Sequence, residues 1–164
     1  MIDRELLIGH QVLLPSDNEF RAEGRLRPSG TRIEVKYAES LGGDPARHRP
    51  RYDEVADAMG AFMPEARDRL RKPPLEQFWR DHLLAGSLLL DDASGFDVGA
   101  FAVVYPEGNT VVGKAVDEYR ACLRDTSTFV TWTLERVLDA ADEAGAAAWA
   151  SEVRERYSGW GAQP

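Results

Sequence analysis

Residues 31–38 read Thr31-Arg32-Ile33-Glu34-Val35-Lys36-Tyr37-Ala38, and this stretch decides the fold. Ile33, Val35 and Tyr37 alternate with Glu34 and Lys36. Side chains two apart on a strand point the same way, so the spacing predicts a strand with an apolar face opposite a carboxylate and an ammonium. Working upstream, Arg27-Pro28-Ser29-Gly30 carries turn chemistry. Before it, Phe20, Ala22, Gly24 and Leu26 alternate with Glu19, Arg21, Glu23 and Arg25, a weak period-two pattern that predicts one strand. His10 to Leu14 is a further short β-prone run, stopped by Pro15-Ser16-Asp17-Asn18.

Downstream, residues 41–50 form a Gly- and Pro-containing loop, and the period then becomes helical. Tyr52, Val55, Ala56, Met59 and Phe62 fall on one side. Pro64 opens a short helix ending near Arg71, and Pro73-Pro74 break it. Leu75 to Leu90 is amphipathic, with Pro74 suited to a first turn. Gly99 to Tyr105 reads as a buried strand bounded by Pro106 and Gly108. Val111 to Leu123 is helical, with Asn109 as its cap. Phe129 to Trp132 is a short strand, and Thr133 caps a helix starting at Leu134. Ala140 to Tyr157 reads as one Ala-rich helical tail. The order predicts an α/β domain, a small mixed β-sheet flanked by helices. We expect one domain over 1–157 and a frayed tail over 158–164.

The 164 residues suffice for one packed core. The N-terminus has no basic start followed by an apolar run, so a signal peptide is not expected. No apolar stretch reaches the length of a membrane span. A lone cysteine, Cys122, can form no internal disulfide; its helical neighbours Val116, Tyr119 and Leu123 mark it as a packed thiol. The expected compartment is the cytoplasm, with no membrane partner. His10, His48 and His82 have no zinc-ligand spacing, and His82 reads as a satisfied polar contact. The net charge of −8 counts against binding of DNA, unless Arg47, His48, Arg49 and Arg51, or Arg67, Arg69, Arg71 and Lys72, make a local patch. A solvated face is the plainer reading of both runs.

The chemistry is carried by Glu34 and Lys36. If their face meets a cleft, the carboxylate suits a hard divalent cation, Mg²⁺ or Mn²⁺. The ammonium beside it can position water and stabilise charge building on phosphorus. A second carboxylate from the preceding strand or turn is needed. Asp17, 17 positions before Glu34, is the first candidate; Glu19 and Glu23 are fallbacks, and Glu39 is a further acid nearby. Glu-x-Lys alone is a weak signal, since a same-face ion pair on a solvated sheet has the same pattern.

Longer runs add weight. RIEVKYAESL (32–41), RYDEVADAMGAF (51–62), PLEQFWRDHLLAGSLLL (74–90), FAVVYPEGN (101–109), AVDEYRACLRD (115–125) and TFVTWTLERVLDA (128–140) resemble, in this order, bacterial PD-(D/E)XK nuclease-like proteins. The resemblance covers roughly residues 31–140 and does not extend before 31. It implies a restriction-endonuclease-like core and Mg²⁺-dependent cleavage of a phosphodiester, with DNA as the default substrate. It carries over Glu34 and Lys36 as the (D/E)XK pair, with Glu39, Gln77, Trp79 and Arg80 as further matching positions. Gln77 and Arg80, three apart on the long helix, are the expected substrate-binding residues. Phe78 and Trp79 are expected in the core. The alternative is a truncated or degenerate relative that keeps the fold as a non-catalytic binding or interaction module. The sequence does not indicate an oligomeric state.

Overall fold

The chain's computed structural model describes residues 47–94, 96 and 98–157, Leu41, and the strand backbone of 13–15, 21–22, 25–26 and 29–35. The strands are β1 (Leu13–Pro15), β2 (Arg21–Ala22), β3 (Arg25–Leu26), β4 (Ser29–Val35), β5 (Val98–Tyr105) and β6 (Phe129–Thr133). The helices are α1 (Pro50–Met59), α2 (Arg67–Leu70), α3 (Glu76–Leu89), α4 (Thr110–Arg120), α5 (Leu134–Glu143) and α6 (Ala147–Tyr157). β1, β4, β5 and β6 form one mixed sheet in that order, with β1 antiparallel to β4 and the β4, β5 and β6 pairings parallel. The α/β class and the small mixed sheet flanked by helices are as expected from the sequence.

β5 is the spine of the sheet, and its alternation builds two cores. Phe101 and Val103 face a large apolar cluster with Val55, Phe62, Phe78, Trp79, Leu83, Val112 and Tyr119. Val104, from the other parity, joins Leu134, Leu138, Ala150 and Val153 on the opposite side. α1, α3 and α4 therefore cover one face, and α5 and α6 cover the other. Phe78 meets Tyr119 of α4 while Trp79 meets Tyr52 of α1, so α3 lies between its two neighbours. α1 crosses α3 closely: a Cβ on Gly86 would lie 2.1 Å from Met59 Sδ.

The predicted caps form. Asn109 Oδ1 accepts from the Val112 N–H at 3.0 Å, and Thr133 Oγ1 from the Arg136 N–H at 3.3 Å. His82 is fully buried, with Nδ1 2.9 Å from the Tyr119 hydroxyl and Nε2 2.9 Å from Thr128 Oγ1. Phe62, Phe101 and Phe129 surround its ring. Burial in this shell pushes the imidazole down to about 4, against a weaker opposing hydrogen bond from Thr128. Cys122 is buried, as its helical neighbours indicate.

Three local readings need correction. The run from Phe20 to Leu26 is no single strand: Arg21 pairs with Leu26 and Ala22 with Arg25, an antiparallel hairpin. The alternation therefore straddles a reversal of strand direction. Ser29 and Gly30, read as turn residues, open β4, because Gly30 pairs with Pro15 on one side and Gly99 on the other. Backbone pairing on both sides overrides the local turn preference. The Ala-rich tail is two helices, since Gly145 adopts φ +86 between α5 and α6 and turns the chain back. The tail over 158–164 lies outside the described residues.

Candidate active site and family

Glu34 sits one residue before the end of β4, an interior strand. Its backbone pairs across from Val103, and that of Val35 from Val104; both valines are buried. Because β4, β5 and β6 are parallel, their carboxyl ends share one end of the sheet, where open α/β sheets bind ligands. Lys36, Asp17, Glu19, Glu23 and Glu39 lie outside the described residues. Leu13 stands across from Arg32 and Pro15 across from Gly30, so the chain leaves β1 moving away from Glu34. Gly30 and Glu34 are about 13 Å apart along a strand at the usual rise per residue.

The helices begin at the same end of the sheet. α3 finishes at Leu89 and β5 starts at Val98, a short return that makes α3 run opposite to the strands. α1 runs beside α3 in the same direction, with Tyr52 at Trp79 and Met59 at Gly86. Gln77 and Arg80, in the first turns of α3, are therefore at the end of the sheet where β4 finishes. Both are exposed. Arg80 Nη1 lies 3.9 Å from Glu76, and its guanidinium sits 5.9 Å over the Tyr52 ring. Phe78 and Trp79 are core residues, as expected, at 0% and 1% exposure.

A second group stands beside them. His48, two residues before α1, places Nε2 2.9 Å from Asp53 Oδ2. Arg71 Nη2 holds the other carboxylate oxygen at 2.7 Å. A carboxylate only accepts, so the His48 Nε2–H donates. Burial alone would raise the Asp53 carboxyl, but the hydrogen bonds from Arg71 and His48 outweigh it and leave the group below the usual carboxylate range. The His48 ring lies parallel to Trp79, with centroids 6.1 Å apart, and edge-on to Tyr52 at 5.8 Å. Nε1 of Trp79 and Nε of Arg71 are buried with no hydrogen-bond partner among the described residues. Sequence reading had no route to this dyad. His48 and Asp53 are five apart, a spacing that puts them on no common helical face; the pre-helical His48 meets Asp53 of α1 with its ring parallel to Trp79 of α3.

Most cations of the two basic runs are paired. Arg51 meets Glu54 at 2.9 Å, Arg67 is bonded to Asp57, and Arg69 comes within 3.9 Å of Glu118. Arg47 and Arg49, flanking His48, are exposed.

A family model described as PD-(D/E)XK nuclease superfamily matches residues 15–159. The chain belongs to this superfamily. The match begins at residue 15, so likeness to the superfamily reaches upstream of residue 31, where the sequence reading ended it, and takes in the segment bearing Asp17. No curated protein and no solved structure matches the chain. PD-(D/E)XK nucleases generally use divalent metals. Glu34 offers the hard oxygen donor such an ion takes. Among the described residues no group of three or more His, Cys, Asp or Glu could hold one. No helix among the described residues is long and apolar enough to cross a membrane.

Proposed function

We propose that the chain hydrolyses phosphodiester bonds in DNA, at a site centred on Glu34 and Lys36. The observation that carries this reading is the superfamily match across β4, with Glu34 at the carboxyl end of an interior parallel strand. In this reading Glu34 and Asp17 hold a divalent ion, Mg²⁺ or Mn²⁺, which when bound neutralises phosphate charge and makes water a better nucleophile. Lys36 orients the attacking water and stabilises the charge that grows on the phosphoryl oxygens. Gln77 and Arg80 hold the flanking phosphate from the start of α3, Arg80 as a cation with a planar donor fork. Exposed Arg47 and Arg49 support binding of a polyanion at this end despite the net charge of −8. The whole of 1–157 acts as one domain, in the cytoplasm.

One observation favours a second reading, a non-catalytic nuclease-fold module that binds or assembles. β1 runs towards the Gly30 end of β4, away from the end that carries Glu34. Nicking of supercoiled plasmid in Mg²⁺ or Mn²⁺ separates the two. Under the nuclease reading the wild type nicks, and Glu34→Ala, Lys36→Ala and Asp17→Ala each lose at least about 100-fold, the scale of a lost acid–base or electrostatic partner. If Asp17→Ala keeps full activity, the second carboxylate is Glu19, Glu23 or Glu39. A folded wild type that leaves plasmid intact in both metals supports the module.

A further inference from the structure

We propose that His48 is a catalytic residue of this hydrolysis, the donor of a proton to the leaving oxygen; the inference rests on the nuclease reading. Three observations converge on it. His48 precedes α1, and α1 begins at the end of the sheet where β4 finishes, so His48 and Glu34 share that end. Its ring is fixed from two sides. Asp53 takes the Nε2–H, with Arg71 holding Asp53 in turn, and buried Trp79 backs the ring in parallel. Its side chain stays 37% exposed, so a substrate can reach the ring.

This is the construction expected of a proton-handling imidazole: a reachable ring, one nitrogen fixed by a carboxylate and one face turned to an indole. A plain surface ion pair needs neither the parallel indole nor the second cation on Asp53. Arg47 and Arg49 flank the ring in sequence and are exposed, so a polyanion has cations to meet beside it. In the step, the oxygen of water bonds to phosphorus and the bond from phosphorus to the bridging oxygen breaks. The departing oxygen takes the proton from His48 Nδ1. The attacking water sheds one proton to solvent, and His48 regains one from solvent. Asp53 is a positioning residue, since it acts only through the ring.

The test uses the full chain and two matched oligonucleotide duplexes, one ordinary and one carrying sulfur at the bridging position that is cut. A thiolate leaves without a proton, so only the ordinary substrate needs the donor. His48→Ala should slow cleavage of the ordinary substrate about 100-fold or more and leave the sulfur substrate within about threefold of wild type. Asp53→Asn should show the same asymmetry at about tenfold. Glu34→Ala should slow both substrates alike. Equal slowing of both substrates by His48→Ala, or no slowing of either, overturns the assignment and leaves the nuclease reading standing. A wild type that cleaves neither substrate removes the nuclease reading and this role with it.

Discussion

The two faces of the sheet are built to different standards. On one, Phe101 and Val103 meet α1, α3 and α4 in a broad core, and the fully buried His82 ties α3 to α4 and to the turn before β6. On the other, Val104 meets a small cluster from α5 and α6. There α6 is joined to α5 by Arg154, whose guanidinium reaches Asp139 at 2.7 Å and Asp142 at 2.6 Å in partly exposed pairs. The difference teaches which half holds the candidate site. α3 sets the positions of Gln77, Trp79 and Arg80, and through Trp79 that of His48. The α5–α6 hairpin packs on Val104 at the opposite face and serves as a cover for apolar strand surface.

That contrast can be broken most directly at Phe101, which is 0% exposed. Phe101→Ala should cost about 3–5 kcal/mol, from lost burial and the cavity left behind. Urea denaturation measures it, and a loss below about 1 kcal/mol would mean the α3 face is not the mainstay. The next largest effect is acidity. The imidazole of His82 titrates near 6.5 in the unfolded chain and about 4 when buried. Between those values the unfolded chain binds the extra proton, so stability is full above about 6.5 and falls as pH drops towards 4. The loss is about 3 kcal/mol. His82→Gln should flatten that slope; an unchanged slope would assign it to other groups.

Val153→Ala probes the second face. It removes two methyl groups from a residue 9% exposed and should cost roughly 1.5 kcal/mol or less, with nicking activity unchanged. Activity lost in step with stability would show that the hairpin reaches the site. Smallest of all, Arg154→Ala should leave the denaturation midpoint nearly where it is, because ion pairs in contact with water are screened and entropically costly. A large, salt-dependent drop would make this clamp, rather than the small core, the bond between α5 and α6.

Much of the architecture was legible in the chain. The β4 and β5 strands, the α3 helix between Pro74 and Leu90, and the caps at Asn109 and Thr133 follow from periodicity and from side chains that satisfy adjacent backbone groups. Such signals are contiguous, so no partner segment is needed to read them. The errors fall where a partner or a reversal decides: the hairpin within residues 21–26, the start of β4 at Ser29, and the turn at Gly145.

The candidate site divides the same way. Sequence alone raised the expectation of a (D/E)XK pair at Glu34 and Lys36 and of matching positions Gln77 and Arg80 one helical turn apart, and it read His82 as a satisfied polar contact, which the structure bears out. Each is a pattern within one element. Tertiary structure alone decided that β1 leads away from Glu34, that α1 and α3 both begin at the end of the sheet where β4 finishes, and that His48 rests on Trp79 with Asp53 and Arg71 behind it. Those facts depend on strand register and helix packing. Both are set by which apolar surfaces can be buried together across tens of residues, and no local spacing encodes them.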